Sequence, residues 1–213
     1  MSKNKDYIEN IEGAERRFLT NPVKHETRMD GEGDDKKETH IIEGYAAMYN
    51  QRTNLGWMDE EILPGAFDEV LNDDVRALIN HDPTLILARS QNGKGTLSLR
   101  LDDKGLIYSY ATPDRTYARD LQDAIESGDV SQSSFSFSIE EEIWVHGDDK
   151  QNDLRQIKKF RTLFDVSPVT FPAYTDTTVA KRSHANIEKP NPVNNKSFDE
   201  YEARQRMLNL NKA

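Results

Sequence analysis

The chain has no cysteine in its 213 residues. Disulfides, zinc–thiolate sites and thiol nucleophiles are thereby excluded, and any nucleophile must be an oxygen or a nitrogen. Long apolar runs are missing too. Nowhere do about eighteen apolar residues follow one another, as a membrane-spanning helix requires. The opening MSKNKDYIENIEG carries no apolar segment of the kind a secretion signal needs. These absences predict a cytoplasmic protein without a membrane anchor. Basic residues are in the minority, 28 against 38 acidic ones for a net charge of −10, which argues against a body that grips a phosphate backbone.

The charge that is present is unevenly spread. From Lys181 to Ala213 there are seven Lys/Arg and four Asp/Glu, so the tail is basic while the body is more acidic than the whole. The tail also contains KPNPVNNKS, residues 189–197, with the proline and asparagine density of a solvated linker. A boundary near Lys181 follows, dividing a domain of residues 1–180 from an appendage of residues 181–213. Within the appendage, Ser197 and Glu200 have the spacing of a capping box ahead of Phe198, Tyr201 and Leu208, which predicts a terminal helix.

Along the body, two extended segments, roughly Glu15 to Met29 and Glu38 to Tyr49, flank the exposed hairpin loop DGEGDDKK. The stretch PGAFDEVLNDD from Pro64 places Phe67, Val70 and Leu71 on one side and reads as a short helix. VRALIN and TLILAR are strands separated by His81-Asp82-Pro83, and TLSLRL and LIYSYA bracket DDKG as a hairpin. Tyr117, Leu121, Ala124 and Ile125 recur with helical spacing ahead of Gly128, where a helix would end. A second hairpin, with the polar tip HGDDKQND, reads as a surface excursion whose acidic loop is solvated. Many short strands with two or three helices predict an α+β fold: a mainly antiparallel barrel or half-barrel with flanking helices.

One strand is unusual for its hydroxyls. In SQSSFSFSIEEE, residues 131–142, strict alternation puts Phe135, Phe137 and Ile139 on a core face with Ser133, and Ser134, Ser136 and Ser138 on the other. Ser134 and Ser136 remain as candidate nucleophiles, against the plainer explanation of a polar outer face. A serine becomes nucleophilic when a base takes its proton, and histidine is the usual base. Of the five histidines, His25, His40, His146 and His184 fall on polar hairpins or in the tail, where solvated surface explains them. His81 stands at the end of an apolar strand in a rigid turn. Its second nitrogen needs an acceptor. Asp82 is adjacent but extended by Pro83, so its side chain diverges from the ring. Asp165 lies in the apolar stretch LFDVSPVTFPAY, where an unpaired charge is costly to bury, and is the better placed carboxylate; a local bond to Ser167 is the other explanation for it.

INHDP at His81, SQSSFSF around Ser134 and LFDVSPVTFPA around Asp165, with EGYAAMYN near Tyr45 and ILPGAF at Pro64, together resemble the prohead serine proteases of tailed bacteriophages. The likeness is ordered and runs from about Ile41 to Ala180. It implies a capsid-maturation endopeptidase with an assemblin-like fold, packed inside the procapsid in the host cytoplasm. Its substrates would be the scaffold protein, the major capsid protein and itself, and self-association is a further expectation. It also implies His81 as base, Ser134 as nucleophile and Asp165 as the orienting acid, with no cofactor, metal or specific nucleic acid. The family usually reads Ser-Phe-Gly-Phe where this chain has Ser-Phe-Ser-Phe, so Ser136 is the rival nucleophile. Two other readings stand beside this one. In one the protein assembles capsids without catalysis. In the other it is a hydrolase of small esters, against which the Gly-x-Ser-x-Gly elbow is absent.

Overall fold

The computed structural model describes residues 8, 11, 13–19, 23–30, 37–148 and 151–171. In chain order the elements are β1 (Ala14–Leu19), β2 (Lys24–Asp30), β3 (Lys37–Met48), β4 (Thr53–Asn54), β5 (Met58–Ile62), β6 (Val75–Ile79), β7 (Asp82–Gln91), β8 (Lys94–Gly95), β9 (Leu97–Leu101), β10 (Gly105–Ala111), α1 (Thr116–Glu126), β11 (Gln132–Val145) and β12 (Asp153–Val169). They form two sheets. The larger runs β1-β11-β12-β6-β7-β8, with β5 alongside β12 and β4 on β5; the smaller runs β2-β3-β10-β9. One apolar core is shared between them, with Ile42, Leu106 and Tyr108 from the smaller sheet meeting Phe135, Phe137 and Val166 from the larger.

The alternation of the serine strand is what ties the sheets together. Phe135 and Phe137 are stacked at 4.7 Å and sit among Phe67 and Phe160, each buried ring contributing about 1.5–3 kcal/mol. On the same face Ser133 is buried and its Oγ lies 2.9 Å from the Tyr108 hydroxyl of β10. The strand thus places one hydroxyl on the core side, as its pattern predicts.

Several expectations are met. DDKG closes the β9–β10 hairpin, with Asp102 Oδ1 accepting from the amides of Lys104 and Gly105. The helix forms at Thr116–Glu126, burying Ala118, Leu121 and Ile125, and Gly128 follows it with φ of +84°, the left-handed conformation that ends helices.

Others need correction. PGAFDEVLNDD is a run of turns, not a helix. Gly65 takes φ of +89° and the Ala66 amide bonds to the Leu63 carbonyl, a Pro-Gly type II turn whose positive φ no right-handed helix can contain. Phe67 and Val70 are buried all the same. The segment from Glu15 to Met29 is two strands, β1 and β2, on different sheets. The hairpin of β11 and β12 is no surface excursion: β12 is bordered by β11 and runs parallel to β5 and β6, and Leu154, Arg155 and Ile157 are buried. No closed barrel forms among the described residues, since the larger sheet ends on β1 and β8 and the smaller on β2 and β9. α1 is the one α-helix among them, and it is not long and apolar enough to cross a membrane. The boundary near Lys181, the linker and the terminal helix lie outside the described residues.

Candidate active site

The β6–β7 hairpin turns through two residues, Asn80 and His81, with φ of +51° and +60° between the paired Ile79 and Asp82. This is the type I′ geometry, which favours glycine or asparagine; a side chain such as histidine in it costs about 1–2 kcal/mol. The turn is held by clamps to β12. The Asn80 amide donates to the Pro168 carbonyl at 3.1 Å, Asn80 Oδ1 accepts from the Thr170 amide at 2.9 Å, and the His81 amide donates to Ser167 Oγ at 3.3 Å. Strain kept in place by several bonds marks a position where a side chain is wanted in one orientation.

That orientation aims the His81 ring between β11 and β12. Its Nδ1 is 2.6 Å from Asp165 Oδ1 and its Nε2 is 2.5 Å from Ser134 Oγ. Asp165 and Ser134 have no exposed surface and His81 is 6% exposed. Asp165 also accepts from Ser167 Oγ at 2.8 Å, so the local bond and the ring contact occur together. Both strands are needed for this spacing: Ser134 pairs with Ser167 across β11 and β12, and Asp165 is level with Arg76 of β6 just before the turn. Asp82, set aside on backbone grounds, turns away and accepts instead from the amide and hydroxyl of Thr84.

Ser136 lies near the ring on a different nitrogen. Its Oγ is 3.2 Å from His81 Nδ1, which already faces Asp165, and it accepts from Arg16 Nε at 3.0 Å. The other described histidines are elsewhere. His25 and His40 are not plain solvated surface: their rings stack with centroids 5.2 Å apart, and His25 reaches Glu126 at 3.0 Å. His146 is exposed beside Asp153. His184 lies outside the described residues. Among the described residues no three His, Cys, Asp or Glu side chains converge as a metal site would require.

The sequence reading missed a buried ionic cluster next to the serine strand. Arg17 bonds Glu60 at 2.5 and 2.7 Å; Arg155 bonds Glu15 at 2.9 Å through two nitrogens, Glu142 at 2.6 Å and Glu60 at 3.3 Å. Burial pushes the Glu15 carboxyl up, but the guanidinium groups of Arg17 and Arg155 outweigh it and hold the group at about 2. A signal was available. In MDEEI the residues Met58, Glu60 and Ile62 share the buried face of β5, and a charge at a core position of an alternating strand calls for a partner.

The chain as a whole resembles known proteins. Residues 25–190 match the family model of the caudovirus prohead serine proteases. The prohead protease of Enterobacteria phage HK97 is 31% identical over 175 residues, covering 80% of this chain and 72% of that protein. Among solved structures, the capsid assembly protease of bacteriophage T4 gives a TM-score of 0.42 at 12% identity, covering 74% of this chain and 99% of the other. That last likeness is too distant to bear on the chemistry. The family match and the identity to a prohead protease across most of both chains are sufficient together: the chain belongs to the caudovirus prohead serine protease family.

Proposed function

We propose that His81, Ser134 and Asp165 are the catalytic triad of this serine protease, and that it acts in capsid maturation as an endopeptidase. The observation that carries the reading is the continuous contact from Asp165 through both ring nitrogens of His81 to Ser134 Oγ, at 2.6 and 2.5 Å. In it, Ser134 Oγ attacks the scissile carbonyl as His81 Nε2 takes its proton. His81 then returns that proton to the leaving amine, and water hydrolyses the acyl-enzyme by the same route. Asp165, held by Ser167, keeps Nδ1 protonated so that Nε2 is the basic nitrogen, and it stabilises the imidazolium when it forms. Ser136 is not the nucleophile, because the nitrogen it approaches is the one Asp165 occupies.

The substrates follow from the family's setting: scaffold protein, major capsid protein and the chain itself, cut within the procapsid in the host cytoplasm. Residues 181–213 are then an appendage that docks on one of these partners. The test is co-expression with the scaffold and major capsid proteins, followed by intact-mass measurement of all three. Shortened partners with the wild-type chain, and full-length partners with Ser134→Ala, support the reading. Full-length partners in both cases refute it.

A further inference from the structure

A nucleophile with no exposed surface cannot meet another chain, so what covers Ser134 matters. Along one side it is β1. In the antiparallel register Phe18 faces Ser134, Arg17 faces Phe135 and Arg16 faces Ser136. The Ser134 hydroxyl donates to the Arg17 carbonyl at 2.9 Å, and the Phe18 ring stands edge-on to His81 with centroids 6.0 Å apart. β1 ends its sheet on that side and precedes the family match, which starts at residue 25. An extended segment laid on the open edge of a sheet is how many proteins take up a peptide: the main chain supplies affinity and alternate side chains supply selectivity.

The alternate side chains here enter a built site. Arg17 and Glu15 point to the face opposite Ser134. There Glu60 of β5 takes the Arg17 guanidinium, and Arg155 of β12 takes the Glu15 carboxylate. Glu60 and Arg155 are each 3% exposed, and Glu142 of β11 braces Arg155. Without β1 the site holds two carboxylates against one guanidinium, a buried negative charge that calls for a cation.

We propose, building on the protease reading above, that β1 occupies the cleft in which the enzyme binds its substrates. Glu60 and Arg155 then select strands with a basic side chain directly before the cleaved bond and an acidic one two residues earlier. β1 itself is a resting occupant. With the Ser134 proton given to the Arg17 carbonyl oxygen, it is not shared with His81 Nε2. A tethered strand also competes at high effective concentration, so substrates must displace it.

The test uses the full chain as wild type, as Arg17→Glu, and as Arg17→Glu combined with Glu60→Gln. The probes are a fluorophosphonate and the synthetic peptide GAERRFLTNPV, with a second version carrying glutamine for its second arginine. The Arg17→Glu substitution sets a carboxylate against Glu60 and dislodges β1, so Ser134 labelling accelerates about tenfold or more over wild type. The Arg17→Glu chain cuts the peptide between its second arginine and phenylalanine. It prefers the arginine over the glutamine version by about 10- to 100-fold in kcat/KM, as a charge-assisted hydrogen bond implies. Adding Glu60→Gln removes most of that preference. Should Arg17→Glu not fold, Arg17→Ala gives the same changes in smaller amount. Equal labelling of wild type and variant overturns the proposal, as does cleavage indifferent to the arginine; in both cases labelled Ser134 leaves the protease reading intact. Absence of any Ser134 adduct in every chain overturns both.

Discussion

His81 and Asp165 meet at 2.6 Å where two strands and a strained turn converge, in a place closed to solvent. Asp165→Asn keeps the shape but leaves an amide that can donate to Nδ1 and favour the wrong tautomer. The expected result is a fall in kcat of about 10³–10⁴-fold with KM little changed. Peptide hydrolysis by the purified variant checks it; a fall confined to KM would assign Asp165 to binding instead.

The turn offers a second test, of stability alone. His81 has φ of +60°, so the backbone prefers glycine there. Both His81→Gly and His81→Ala abolish activity, but His81→Gly is the more stable of the two by about 1 kcal/mol. Urea unfolding of the pair measures the difference. Equal stabilities would mean that the turn relaxes once the ring is gone.

Ser133 and Ser134 are neighbours with opposite fates. Ser133→Ala removes the partner of the buried Tyr108 hydroxyl and costs about 1–3 kcal/mol of stability, while the folded variant remains an active protease. Ser134→Ala removes activity and leaves the core untouched. Thermal melting and peptide hydrolysis on the two variants distinguish them, and loss of catalysis in folded Ser133→Ala would contradict the assignment of faces.

Glu15 makes stability depend on acid. Its folded pKa of about 2 lies below the ordinary value of 4.5, so its contribution is complete above about 4.5 and is lost as the pH falls through 2. The contribution at neutral pH is on the order of 3 kcal/mol. Melting temperatures between pH 6 and 2.5 should decline for wild type, and the decline should flatten in Glu15→Gln. Parallel curves would remove Glu15 as the titrating group.

Much of the site was legible because strand periodicity fixes faces. SQSSFSFS divides its serines by alternation alone, and the isolated acid in LFDVSPV had to find a partner. The left-handed turn that presents His81 was not legible, since Asn-His carries no glycine to announce it and the clamps come from Ser167, Pro168 and Thr170, far along the chain. The helix expected at Pro64 failed on one backbone torsion at Gly65 that apolar spacing does not register. β1 and β2 read as one segment because each has ordinary strand composition. Their assignment to different sheets depends on pairing with β11 and β3, and that information is non-local. The same holds for the ionic cluster, whose members come from β1, β5, β11 and β12.

The central claim is that Ser134 is the activated serine, and the direct measurement is fluorophosphonate labelling with the adduct located by peptide mass spectrometry. It is made on the full chain and on Arg17→Glu, each with and without Ser134→Ala or Ser136→Ala. The account predicts one adduct, on Ser134, absent from the Ser134→Ala chains and retained in the Ser136→Ala chains. An adduct on Ser136, or none in any chain, would contradict it.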